Sequence, residues 1–365
     1  MRVCQTSYIL YKSWKSARAE AGHSVRCRQG TAKILHISCE NLSLDEAALE
    51  IQYFLHVEAM NLLLDTRLRS AWIATCVQPE KQDKNMSHDI DYNKISIKTP
   101  EEIAMLRAAG RIAAQVLQDL TPHIQPGVSS RQINDLAYDL IVNKYHAEID
   151  REDLAGYDSS QYACISIAHN ENAFSGEPSD LPLKKGDLFG VDVSIKKEGW
   201  CGDTQRMWIV GEETSAEARL LMAVGYQAMC LGISLVRPGA KVQDIARRVQ
   251  AYVESFGFSM LRVPSGTGHS IGQVHADGWL IPYYDSSINE GRVLEKGMVI
   301  TVEPFICAGS GAGIRLNNVT LSAQTADKSL AVYWEHVVAV TESGCEVLDL
   351  RDGEDITFYD ARLRA

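Results

Sequence analysis

Four acidic residues occur where strands are expected. Asp192 and Asp203 sit in "GVDVSIKKEGWCGDTQRM", residues 190–207, which reads as two strands joined by a tight charged turn. Glu303 interrupts the apolar run of "MVITVEPF", and Glu335 sits inside "LAVYWEHVVAVT". Isolated ionised carboxylates are too costly to bury, so acids in such runs are protonated, paired or bound to metal. A turn centred on Lys197 and Glu198 sets Asp192 directly across from Asp203. Like charges opposed with Cβ atoms roughly 5 Å apart destabilise a hairpin unless a cation lies between them. Taken alone, the hairpin reads more readily as two solvated acids beside a turn, and the other two acids shift that balance.

The remaining ligand candidate comes from "SGTGHSIGQVHADG". His269 is flanked by Gly268 and by Ser270-Ile271-Gly272, so its backbone can approach other groups closely, and His275 follows in the same loop. Two divalent cations balance four carboxylates. Oxygen-rich ligation with one imidazole suits Mn, Fe, Co or Zn, not a Cys-rich structural zinc site. Two metals about 3.5–4 Å apart activate a bridging water and clamp a hydrolytic transition state. The chemistry indicated is hydrolysis.

The elements that must position these groups begin at "KTPEEIAMLRAAGRIAAQVLQDL". Thr99 as N-cap, Pro100 at the first helical position and Glu102 at the third form a capping box. Ile103, Leu106, Ile112, Val116 and Leu120 then keep helical spacing. An internal echo follows. "PGVSSRQI" from Pro126 is matched by "PGAKVQDI" from Pro238, and "KGDLFGVD" ending at Asp192 by "KGMVITVE" ending at Glu303. The offsets are 112 and 111 residues. Two matched segments in one order at nearly one offset predict two related α/β halves. Each half reads as helices followed by strands, so helices should cover one face of a mainly antiparallel sheet, with the acids at its centre or on its other face.

The chain has 365 residues, 45% of them hydrophobic, enough for one large core or for a catalytic domain with an appendage. Lys and Arg number 36 against 47 Asp and Glu, and the net charge of -11 argues against a nucleic-acid-binding face. Nine scattered cysteines without a CxxC pair suggest free thiols in a reducing, cytoplasmic setting. No run of 18 apolar residues supports a membrane span. Residues 1–35 are basic and acid-poor, as transit peptides are, but residues 1–85 lack a clean period apart from a helix-like run at 44–64. They read as an N-terminal extension ahead of a domain spanning residues 86–365, with Met86 a plausible second start.

At these residues the chain resembles the methionine aminopeptidases, type I-like, within the pita-bread metallopeptidases that include Xaa-Pro aminopeptidases and prolidases. The resemblance covers about residues 93–350 and rests on the ordered set of Asp192, Asp203, the "GHSIG" histidine, "VEP" and a final Glu-His. It implies a pita-bread α+β fold, two halves about a pseudo-twofold, and five metal ligands. Asp203 and Glu335 would bridge two ions, Asp192 would hold one, and His269 with Glu303 the other. It further implies that Glu303 handles the proton of a metal-bridging water, that His275 bonds the substrate carbonyl or oxyanion, and that Tyr157 and Cys164 lie near the methionine pocket. The implied partners are N-termini of peptides and nascent chains, with the ribosome a further partner, and the implied state is a monomer.

There is a departure. Where the family has a histidine in an "HGIP" loop, this chain reads "FSGEP", so Ser175 or Phe174 stands in place of an imidazole that assists at the scissile peptide. The loop from His269 to His275 is also one residue shorter. Two other readings therefore stay open: an Xaa-Pro peptidase of the same fold, and a low-activity or non-catalytic pita-bread protein that binds peptides.

Overall fold

The capping residues start a helix where the sequence predicts. In the computed structural model of the chain, α1 (Pro100–Leu120) opens with the Thr99 side chain accepting the Glu102 N–H at 3.2 Å, while the Glu102 carboxylate accepts the Thr99 N–H at 2.8 Å. The structure describes residues 24–29, 33–38, 94–150, 163–263, 267–311, 314–316, 322–360 and 362. The chain divides into two units, Met1–Ser87 and His88–Ala365. In the first, β1 (Ser24–Gln29) pairs antiparallel with β2 (Lys33–Ser38); the helix-like run at 44–64 lies outside the described residues.

The second unit is built twice over. Its first half runs α1, α2 (Ser130–Tyr138), β3 (Glu148–Ile149), β4 (Ser166–His169), β5 (Asn172–Gly176), β6 (Leu188–Lys197) and β7 (Trp200–Ile209). Its second half runs α3 (Ala216–Leu235), α4 (Val242–Glu254), β8 (Ser259–Met260), β9 (Gly268–His269), β10 (Leu280–Ile281), β11 (Val299–Val302), β12 (Ile306–Cys307), β13 (Ile314–Leu316), β14 (Ala323–Thr325), β15 (Ala331–Val332), β16 (His336–Val340) and β17 (Cys345–Val347). The repeated motifs make the same hydrogen bonds. Gly127 N–H donates to the Leu183 carbonyl at 2.9 Å and Leu183 N–H to Val128 at 2.8 Å. In the second half Gly239 N–H donates to Leu294 at 2.8 Å and Leu294 N–H to Ala240 at 2.9 Å. Each Pro-Gly turn is thereby tied to the segment that leads into its acid-bearing strand.

Every strand pair among the described residues is antiparallel. One sheet runs β13-β14-β5-β4-β6-β3 with β7 also on β6, and a second runs β11-β16-β17. Helix α1 packs on β6 and β7, whose inward residues Phe189, Val191, Val193 and Ile195 are fully buried. At Gly202 the approach is so close that a Cβ would collide with the Ala109 and Gly110 backbone of α1. Helix α3 is apolar and long enough to cross a membrane, but 61% of that stretch is buried, against β11, β12 and β15.

The turn between β6 and β7 corrects the expected register. Lys197 pairs with Trp200, so Glu198 and Gly199 form a two-residue turn with φ of +52° and +79°. Positive φ at both positions is the turn whose twist matches a hairpin, and it sits one residue further along than expected. Asp192 is therefore opposite Gln205 and Asp203 opposite Ser194. The two acids are diagonal neighbours on one face, not directly opposed.

The halves meet where β14 pairs with β5 and, at the acids, through a bridge between β7 and the start of β16. Gln205 on β7 and Glu335 before β16 exchange backbone hydrogen bonds at 3.3 and 3.5 Å. Gln205 opposes Asp192, and the β11–β16 register continued by one residue sets Glu335 opposite Glu303. Equivalent residues of the two hairpins thus pair with each other, as a local twofold requires. That bridge brings four acids from distant parts of the chain to one place.

Candidate metal centre

Strand position decides which way each acid points. Asp192 lies mid-strand on β6 and Asp203 near the start of β7; Glu303 directly follows β11 and Glu335 directly precedes β16. His269 ends the short strand β9, its N–H donating to Thr301 Oγ1 at 3.0 Å, which fixes it beside β11. Asp203 and Glu335 are 1% exposed, and His269 and Glu303 6%.

Their donor atoms form three overlapping groups: Asp192–Asp203–Glu335, His269–Glu303–Glu335 and Asp203–His269–His275, each within 4.8 Å. His269 Nε2 is 3.6 Å from Asp203 Oδ2 and 3.7 Å from Glu303 Oε1, beyond hydrogen-bonding distance. Its Nδ1 lies 3.1 Å from the Ser270 carbonyl, which only accepts, so Nδ1 carries the proton and Nε2 turns its lone pair to the acids. Burial holds this imidazole near 3, neutral and fit to ligate. Burial and mutual repulsion push Asp192, Glu303 and Glu335 well above the ordinary carboxylate range, and burial raises Asp203 as well. Asp192 Oδ1 and Glu335 Oε1 are buried without a hydrogen-bond partner among the described residues. Four crowded carboxylates, two of them with an unpartnered oxygen, beside a neutral imidazole fit divalent metal, as an oxygen-rich set for Mn, Fe, Co or Zn.

Hydroxyls hold the acids in place. Ser194 donates to Asp203 at 2.9 Å, Thr301 to Glu303 at 2.7 Å, and Tyr333 to Asp192 at 3.1 Å. Behind Glu335, His336 is fully buried between Asp349 at 2.9 Å and Glu354 at 3.2 Å. Burial disfavours its charge, but the Asp349 and Glu354 carboxylates together outweigh that and raise its pKa. Arg351 donates to Thr204 Oγ1 at 3.1 Å, and Thr204 donates to the Glu335 carbonyl at 3.0 Å, tying this ionic cluster to the bridge between the halves.

The other candidates fall at different distances from the acids. His275 stacks 4.5 Å from His269, with Nδ1 3.5 Å from Asp203 and 3.6 Å from Asp150, and its side chain is 37% exposed. Its loop is pinned by the ion pair of Lys98 with Asp277. Burial works against its charge, but Asp203 and Asp150 raise its pKa. Ser175 is on β5, not in a loop, with φ of +50°; its N–H donates at 3.0 Å to Ser166, the residue opposite Asp192. His169 is bonded to Asp187 at 2.9 Å and does not stand in for the imidazole. Cys164 is buried in the core of the first half, its N–H donating to Asn134 Oδ1 at 2.8 Å. Tyr157 lies outside the described residues. Sequence reasoning missed Asp150, which accepts from the Cys201 thiol at 3.1 Å and pairs with Lys196 at 3.3 Å, and it missed Tyr333. Neither stands at a strand repeat or motif, so only the folded path reveals them.

The sequence pattern of metallopeptidase family M24 matches residues 104–342. The methionine aminopeptidase of Escherichia coli K12 is 39% identical over 263 residues, which are 72% of this chain and 96% of that protein. The crystal structure of methionine aminopeptidase from Rickettsia prowazekii superposes with a TM-score of 0.64 at 36% identity, covering 70% of this chain and all of that one. Prolidase from Pyrococcus furiosus shares the fold alone, with a TM-score of 0.54 at 21% identity over 70% of this chain and 66% of that one. The α+β architecture is the pita-bread fold of these proteins.

Proposed function

The chain belongs to metallopeptidase family M24, and on that premise we propose that it is a metal-dependent aminopeptidase that removes methionine from the N-termini of peptides and nascent proteins. The observation that carries the proposal is the convergence of Asp192, Asp203, His269, Glu303 and Glu335 from both halves into one buried cluster. Glu335 belongs to both the Asp192–Asp203 group and the His269–Glu303 group, which supports a bridging carboxylate and two ions per chain. Asp203 likewise joins two groups. Bound divalent metal supplies a water acidified to neutral pH and a Lewis acid for the carbonyl.

The residues of the chain do the rest. Glu303, held by Thr301 on one oxygen, keeps the other to take a proton from the attacking water and pass it to the leaving amine. His275, half-exposed at the rim of the acids, donates to the peptide carbonyl as negative charge develops there. Ser175, on β5 and separated from Asp192 by β4, stands in the sequence where the resemblance puts an imidazole, so the leaving nitrogen gets less help. Tyr157 and Cys164 are assigned to the methionine pocket on resemblance. Action on nascent chains places the work in the cytoplasm, beside the ribosome.

The test is peptide selectivity. The full chain, supplied separately with Co, Mn, Fe and Zn, should release methionine from Met-Ala-Ser and leave Ala-Pro-Phe intact. Cleavage of Ala-Pro-Phe alone would reassign it to the Xaa-Pro peptidases.

A further inference from the structure

Each of three acids in the centre is gripped by one hydroxyl, and one of those hydroxyls comes from far away. Ser194 and Thr301 lie in or beside the strands that carry their acids. Asp192 is held instead by Tyr333, 141 residues away, whose phenol donates to Oδ2 at 3.1 Å. Tyr333 is 1% exposed, and its ring lies 3.9 Å from that of Phe305, which meets Phe174 edge-on at 5.4 Å. Phe174 precedes Ser175, whose backbone is bonded to Ser166 opposite Asp192. The aromatic stack therefore runs from the strand that carries the missing imidazole back to the Asp192 carboxylate.

A carboxylate can turn about its last bond and present either oxygen. A donor fixed on one oxygen selects one orientation and leaves the other oxygen aimed elsewhere. In this chain Oδ2 is taken by Tyr333, and Oδ1 is buried with no hydrogen-bond partner among the described residues, in the group shared with Asp203 and Glu335. We propose that Tyr333 is a positioning residue for the metal centre, its hydroxyl locking Asp192 so that Oδ1 faces the ion. This rests on the metal-centre reading above. Because the ring is already packed by Phe305, the hydroxyl is in place before metal arrives, and the orientation need not be found during binding.

Tyr333→Phe removes the donor and keeps the ring. Outer-sphere partners of metal ligands typically contribute 10–100-fold in metal affinity. Calorimetric titration of the chelator-treated full chain with Mn²⁺ should show one binding event weakened by about that factor in Tyr333→Phe, the other changed less than about threefold. The visible absorption of the Co²⁺-loaded variant should change in shape. Phe174→Leu, which loosens the stack but keeps the donor, should lower the melting temperature and leave Mn²⁺ affinity within about twofold, a contrast that a purely packing role would invert. If wild type binds Mn²⁺ and Tyr333→Phe binds it equally, the positioning role is wrong. If wild type binds no Mn²⁺, the metal-centre reading itself fails.

Discussion

At the residue scale, the chemistry depends on which atoms are free. His269 presents Nε2 because Nδ1 is committed to the Ser270 carbonyl, and Glu303 keeps one oxygen because Thr301 holds the other. The types of these residues were legible in the sequence, since an acid inside an apolar strand run is anomalous wherever it occurs. Asp150 and Tyr333 were not. They break no local pattern, and their meaning comes from contacts made by distant chain. Ser175 is the residue most open to change. It sits on β5, separated from Asp192 on β6 by β4, with its backbone bonded to the Ser166 opposite Asp192; an imidazole introduced by Ser175→His that reaches the scissile peptide should raise kcat on Met-Ala-Ser about tenfold with KM little altered, equivalent to about 1.4 kcal/mol of barrier. Unchanged or lower kcat would show that this strand does not face the leaving nitrogen.

At the element scale, a hairpin and a helix set the geometry. The sequence predicted the two strands and placed both acids on one face, and it misplaced the turn by one residue. The reason is local: Glu198 adopts φ of +52°, a conformation that a non-glycine residue takes only when the strands demand it, so composition favoured a turn with Gly199 at its edge. The internal repeat was legible because both copies need the same Pro-Gly turn, and the structure gives them equivalent hydrogen bonds. Gly202 carries the cost of bringing α1 against β7 next to Asp203. Gly202→Ala forces backbone apart that cannot yield by rotamer change, and urea unfolding should show a loss of about 1–3 kcal/mol. A variant as stable as wild type would mean that the helix is free to slide. The pin on the His275 loop is a separate case. Lys98→Met strands a largely buried Asp277 carboxylate, and removing one member of such a pair costs about 3–5 kcal/mol when burial is complete, so the loss here should approach the lower figure.

At the scale of the whole molecule, the centre couples metal to stability. Without metal, Asp192, Asp203, Glu303 and Glu335 have pKa values raised above those of the unfolded chain, so the folded state holds protons that the unfolded state has released. Stability from these groups therefore falls as pH rises through their folded pKa values. His269, held near 3, works the other way between its folded value and about 6.5, where the unfolded histidine titrates. Above about pH 6.5 the rising contribution of His269 is complete, while His275, its charge opposed by burial but its pKa raised to about 10 by Asp203 and Asp150, adds a contribution that falls from there upward. Metal takes the deprotonated carboxylates and releases their protons, so its stabilisation grows with pH. The melting temperature of the chelated chain should decline from pH 6.5 to 8, and the gain on adding Mn²⁺ should widen over the same range. A gain that narrows would place the metal somewhere other than these acids.

The most direct measurement follows methionine release from Met-Ala-Ser by the chelated chain as divalent metal is restored, with Glu303→Gln alongside. No release is expected without metal, recovery is expected with at least one of Co, Mn, Fe or Zn, and Glu303→Gln should lose about 10²–10⁴-fold even at metal concentrations that saturate its weakened site. Release that persists in Glu303→Gln, or none from the native chain with any of these metals, would contradict this mechanism.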